Sequence, residues 1–162
     1  MWNDPEWASK EEWDAYAWFG FAISEAQYIE RLLLIIATAI QIYDNKMNLN
    51  DKWDSIYNSY GNLTLGTLIN KIKPVYIFPD YLSELIEDAR QKRNYLAHEI
   101  FWPHKNNNDD LSLKNVEEKF RSYASSFRHT SNALENIVQE VLLKLHIDKE
   151  SVVEKLVEEL SK

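Results

Sequence analysis

The chain has 162 residues, 45% of them hydrophobic and 27% charged, and a formal net charge of −8 at pH 7. That length and balance fit one globular core, and the acid excess argues against a general nucleic-acid binder, which carries a basic surface. Three Gly, four Pro and no Cys exclude a many-stranded sandwich, a disulfide scaffold, thiolate-bound zinc and a cysteine nucleophile, and 13% aromatics argue against disorder.

The opening residues, through Trp7, hold no basic and apolar signal-peptide regions. The longest apolar run, Leu32 to Ile40 with Thr38 inside it, is too short to cross a bilayer. The sequence therefore reads as a cytoplasmic protein with no membrane partner: residues 1–162 as one helical domain, with 1–8 as an N-terminal arm. Ser9 and Glu12 fit a capping box, and from there to about Lys46 only Gly20 interrupts. Phe19, Ala22, Ile23, Ala26, Ile29, Leu33, Ile36, Ala37 and Ile40 recur at helical steps, so this is one long helix, covered on more than one side in its second half.

Asn48 to Asn50 reads as a break, Asp51 to Tyr60 as a short helix stopped by Gly61, and Thr64 to Lys73 as another ended by Pro74. Val75 to Phe78 is the only strand-like run, and Pro79 cuts it to a connector. A medium helix runs from Pro79 and Asp80 to about Phe101, closed by Pro103. After the polar loop Asn106 to Asp110, Ser112 or Asn115 caps a long helix to about His146, and Asp148 starts a final amphipathic one. No repeat is visible. The expected fold is all-α, a helical bundle with two long helices, one medium helix and short connecting ones.

The chemistry concentrates on the medium helix. At about 100° per residue, Leu82, Leu85, Ile86, Ala89, Leu96 and Ile100 share one arc, with Arg93 in its middle. A guanidinium in an apolar row must either find a partner or snorkel to water. Arg90, Asn94 and His98 stack on one flank at steps of four. His98 falls in the last turn, where the helix dipole favours a cation, and imidazole is the side chain that titrates near neutral pH. Residues 90–105 carry Arg90, Lys92, Arg93 and Lys105 against Glu99, a local basic zone on an acidic chain.

The string Arg93-Asn94-Tyr95-Leu96-Ala97-His98 resembles the Arg-x4–6-His motif of the HEPN superfamily, with the polar residue that often follows the Arg. The resemblance covers six residues closely and most of the chain loosely, through fold class and motif position. It implies an HEPN-like bundle acting as a metal-independent endoribonuclease, with no cofactor and with RNA as substrate. It also implies a homodimer in which the Arg and His of two protomers meet in one cleft. His98 would be the acid/base, Arg93 the oxyanion stabiliser and Asn94 a hydrogen-bonding positioner, with Arg90, Lys92 and Lys105 holding RNA phosphates. Such proteins serve as toxins or phage-defence components, which implies an antitoxin or defence partner. HEPN toxins paired with a nucleotidyltransferase antitoxin carry a Tyr two residues after the motif His. Here Ile100 stands there, which argues against an antitoxin of that type. The alternative is an HEPN-like helical module that binds or interacts without catalysis.

Helical geometry fits the two-protomer expectation, because Arg93 and His98 lie about 140° apart around one ideal helix. Glu99 is poorly placed to orient His98, since adjacent helix residues point apart. His104, His129 and His146 have no metal-ligand spacing, and no phosphate loop or nucleophilic Ser elbow occurs. Trp2, Trp7, Trp13 and Trp18 read as packing of an N-terminal arm, with a partner-subunit contact as the second reading. Lys114, Lys119, Arg121 and Arg128 read as surface charges, with extension of an RNA groove as the alternative.

Overall fold

A computed structural model describes residues 9–98 and 113–161, and among them every regular element is a helix. The order is α1 (Lys10–Asp44), α2 (Leu49–Tyr60), α3 (Leu65–Ile72), α4 (Asp80–His98), α5 (Leu113–Lys144) and α6 (Lys149–Leu160). The expected bundle of two long helices, one medium and short connectors is what the chain forms. The expected capping box opens α1: the Glu12 amide donates to Ser9 Oγ at 3.2 Å, and the Ser9 amide donates to Glu12 Oε2 at 2.6 Å.

Paired side chains give the helix directions. Phe19 meets Phe120, Arg128 meets Glu25 and Tyr28 meets Glu135, so α1 and α5 run parallel. Lys92 meets Ser126 while Tyr95 meets Tyr123, so α4 runs antiparallel to α5 and therefore to α1. Every residue from Leu32 to Ile40 is buried, because α2 and α3 wrap one side of α1 and α5 the other. Leu33, Ile36, Leu82, Leu96, Phe127 and Leu134 anchor the main core, and Trp53 with Ile35, Ile42, Leu142 and Val152 forms a second cluster beside it. Burying a Leu, Ile or Phe side chain is worth about 1.5–3 kcal/mol, so α1 is the element the others stabilise most.

Both long helices end the same way. Lys46 (φ 52°) and His146 (φ 56°) take the left-handed conformation. The amides of Met47 and Ile147 donate back to Ile42 and Leu142 at 3.0 and 2.9 Å, closing Schellman turns without glycine. Each turn leads into a capped 12-residue helix, α2 from Asn48 and α6 from Asp148. The chain thus contains a structural repeat that residue identity does not show.

Two boundaries differ from expectation and a third reaches beyond the described residues. Asn48 is not a break: its side chain accepts from the Asn50 amide at 2.9 Å and caps α2. The described part of the medium helix ends at His98, and its expected extension to Phe101 lies outside the described residues. α5 stops at Lys144, two residues early, at the left-handed turn. The 75–78 run is a connector as expected, with Phe78 buried, Ile77 86% exposed and Pro79 accepting the first amides of α4.

Candidate functional site

α4 packs its Leu82, Ile86, Ala89 and Leu96 face onto α1 and α5, and this contact positions the motif. Arg93 lies in that row but does not sit in an apolar environment. Its Nε donates to Glu30 Oε1 of α1 at 3.0 Å, and its side chain is 39% exposed. The guanidinium in this core-facing row thus has a carboxylate of the same chain as its partner. The stem packs, the head reaches the rim, and its two terminal nitrogens make no hydrogen bond among the described residues.

Asn94 is half-buried, and His98 is exposed at the end of α4 with no hydrogen bond or ion pair among the described residues. Arg93 and His98 leave the helix on different sides: Arg93 faces α1, and His98 is exposed in the last described turn.

Of the expected phosphate-binding cations, Arg90 and Lys92 are paired with carboxylates on their own helix. Arg90 donates through Nε and Nη2 to both oxygens of Glu87, at 2.8 and 2.6 Å. This fork, with Gln91 beside it, holds the Glu87 carboxyl down at about 2. Lys92 donates to Asp88 at 2.6 Å and to Ser126 at 2.9 Å, and Ser126 donates to the same Asp88 oxygen. Lys105 lies outside the described residues, as do Glu99, Ile100, Trp2, Trp7 and His104.

On α5, Lys119 donates to the Tyr95 hydroxyl at 2.9 Å. Arg121 pairs with Glu117 and covers the Trp18 ring at 4.4 Å, while Arg128 pairs with Glu25 and covers Phe21 at 5.0 Å. These two arginines fasten α5 to the aromatic side of α1. Trp18 packs against the core as expected, whereas Trp13 stands 39% exposed.

Sequence reasoning missed Glu30. The signal was available: an Arg in an apolar row requires an acid on a facing helix, and α1 offers Glu25 and Glu30 on its flanks. Also missed was an open groove of about 600 Å³ across α1, floored by Gln27 and Arg31 and walled by Tyr57 and Tyr60 on one side and Leu156 on the other. Arg31 makes no ion pair, hydrogen bond or ring contact among the described residues.

Among the described residues no three His, Asp or Glu side chains converge to hold a metal ion, and no helix is long and apolar enough to cross a membrane. Comparison of the chain with protein-family models, with curated proteins and with solved structures finds no match.

Proposed function

We propose that the chain is a metal-independent endoribonuclease of HEPN type, working as a homodimer in a toxin or phage-defence setting, with a protein antidote or defence partner. The observation that carries the reading is the state of His98. His98 is exposed, makes no hydrogen bond or ion pair among the described residues, and follows Arg93 at the motif's spacing.

The chemistry is transesterification. His98 takes the proton of an RNA 2′-hydroxyl as that oxygen attacks the adjacent phosphorus, and the bond to the 5′-oxygen breaks. The leaving oxygen takes a proton from an imidazolium, here the second protomer's copy of the same residue. The products are a 2′,3′-cyclic phosphate and a 5′-hydroxyl. Arg93, anchored through Nε, offers its terminal nitrogens to the charge that builds on the phosphorane oxygens, and Asn94 orients a non-bridging oxygen. DNA lacks the nucleophile and is left intact.

A second reading, a helical module without catalysis, is favoured by one observation. Glu30 already satisfies Arg93, so the arginine has a structural use. RNA cleavage in EDTA separates the two. The enzyme predicts cleavage that survives chelation, spares DNA and is lost in both Arg93→Ala and His98→Ala. No cleavage of any RNA by a folded wild-type protein overturns it in favour of the module.

A further inference from the structure

The outward face of α1 carries a seam that none of the described helices covers. Trp13, Ala17, Gly20, Ser24, Gln27 and Arg31 follow one another at steps of four and three, and every one is exposed. This is the spacing of a helix–helix contact line, opposite the face that buries Ala15, Ala22, Ala26, Ile29 and Leu33. Its centre is small: a Cβ built on Gly20 meets nothing within 4 Å, so another backbone can approach closely there. Its ends are large and chemically complementary. Trp13, with no ring contact among the described residues, stands 39% exposed at one end, and at the other Arg31, unpartnered among the described residues, lies in the groove of about 600 Å³ lined by Tyr57 and Tyr60.

We infer that this seam is a two-fold interface between two copies of the chain, with α1 packed antiparallel on α1 about an axis between Gly20 and Ser24. The seam is self-complementary only in that direction. Gly20 then faces Ser24 of the second copy, Ala17 faces Gln27, and Trp13 enters the groove to lie on Arg31, twice over. A guanidinium on an indole is the strongest cation–π pair in proteins, and Trp and Arg are the residues most enriched as interface anchors. The groove has room for an indole beside Tyr57 and Tyr60. A closed C2 contact of this kind requires the same patch to serve as both knob and hole.

The inference deepens the nuclease reading, which needs a dimer. α4 lies on one flank of α1 and runs antiparallel to it, with Arg93 level with Glu30. A two-fold axis in the contact plane keeps both α4 helices on the same side of the seam. His98 is about 7.5 Å further along α4 than Arg93, in the direction of the axis. The last described turns of α4 in the two copies, with His98, therefore approach each other across the seam.

The test reads mass and cross-linking rather than cleavage, so the seam and the nuclease can fail separately. Wild-type protein at micromolar concentration should sediment at twice the 19.2 kDa chain mass. Gly20→Leu should sediment as a single chain, with unchanged helicity and a cooperative melt, because the added side chain meets only the second copy. The chain has no Cys, so engineered thiols report cleanly. Ala17→Cys mixed with Gln27→Cys should give a disulfide-linked dimer on mild oxidation. Either alone should not, because two copies of position 17 sit about 15 Å apart along the helices, beyond disulfide reach. A monomeric wild type, a dimeric Gly20→Leu, or equal cross-linking by Ala17→Cys alone overturns the seam.

Discussion

Replacing Thr38 by Val is expected to make the protein more stable. Thr38 is 0% exposed, in the stretch of α1 that is buried on every side, and its Oγ1 has no hydrogen-bond partner among the described residues. Leaving a buried hydroxyl unsatisfied costs about 1–3 kcal/mol, and Val keeps the shape while removing the polar atom, with nearly the same helix propensity. Taking the low end, the gain is about 1 kcal/mol. An unfolding entropy of about 2.1 cal/mol/K per residue converts that to a rise in Tm of about 3 °C for a chain of this length. The assay is a thermal melt followed by circular dichroism, paired with urea unfolding to check that the slope is unchanged. Thr38→Ser, which keeps the hydroxyl and loses the methyl, should melt below wild type. A Thr38→Val protein that melts lower than wild type refutes the reasoning, since the hydroxyl would then be bonded to something that stabilises α1.

Phe127→Ala removes a fully buried ring that meets Tyr123 edge-on, and should lower stability by about 3–5 kcal/mol and Tm by about 10 °C or more, measured in the same melt. Tyr28 should titrate late: partial burial first, then its hydroxyl's bond to Glu135 at 2.8 Å, push it from 10.0 up to about 12. Because the folded value is raised, the stabilisation is complete below pH 10 and is lost as pH rises through about 12. Ultraviolet titration of the phenolate, with Glu135→Gln bringing the midpoint down, checks this. Glu30→Gln should change stability by less than about 1 kcal/mol, since the pair is half-exposed. On the nuclease reading it should cut RNA cleavage about 10–100-fold by releasing Arg93 from its anchor. Equal cleavage by this variant would make the pair structural only.

Most of the fold was legible because its signals are local. Ser9 and Glu12 cap α1, Pro74 follows the end of α3 and Asp148 caps α6, each signal confined to a few residues, and the apolar stretch of α1 announced burial on all sides. Asn48 misled because a polar residue between two others reads as loop until its side chain is seen to cap. The partner of Arg93 was illegible for a different reason: Glu30 is 63 residues away, and which carboxylate faces which arginine depends on helix direction. That α1 and α5 run parallel follows from a chain that passes through three intervening helices, which no periodicity encodes. The same gap hid the pairing of Arg121 with Trp18 and of Arg128 with Phe21, which made the α5 cations look like free surface charge.

The parallel pairing of α1 with α5 has a consequence for synthesis. The bond from Tyr28 to Glu135 spans 107 positions, so the nine-residue oily stretch of α1 leaves the ribosome long before its main cover exists. At about 5–20 residues per second that delay is roughly 5–20 s. During it, α2 and α3 can shelter only part of the stretch. Nascent chains arrested before α5 emerges should accordingly be the aggregation-prone species, while the finished chain refolds from denaturant without help.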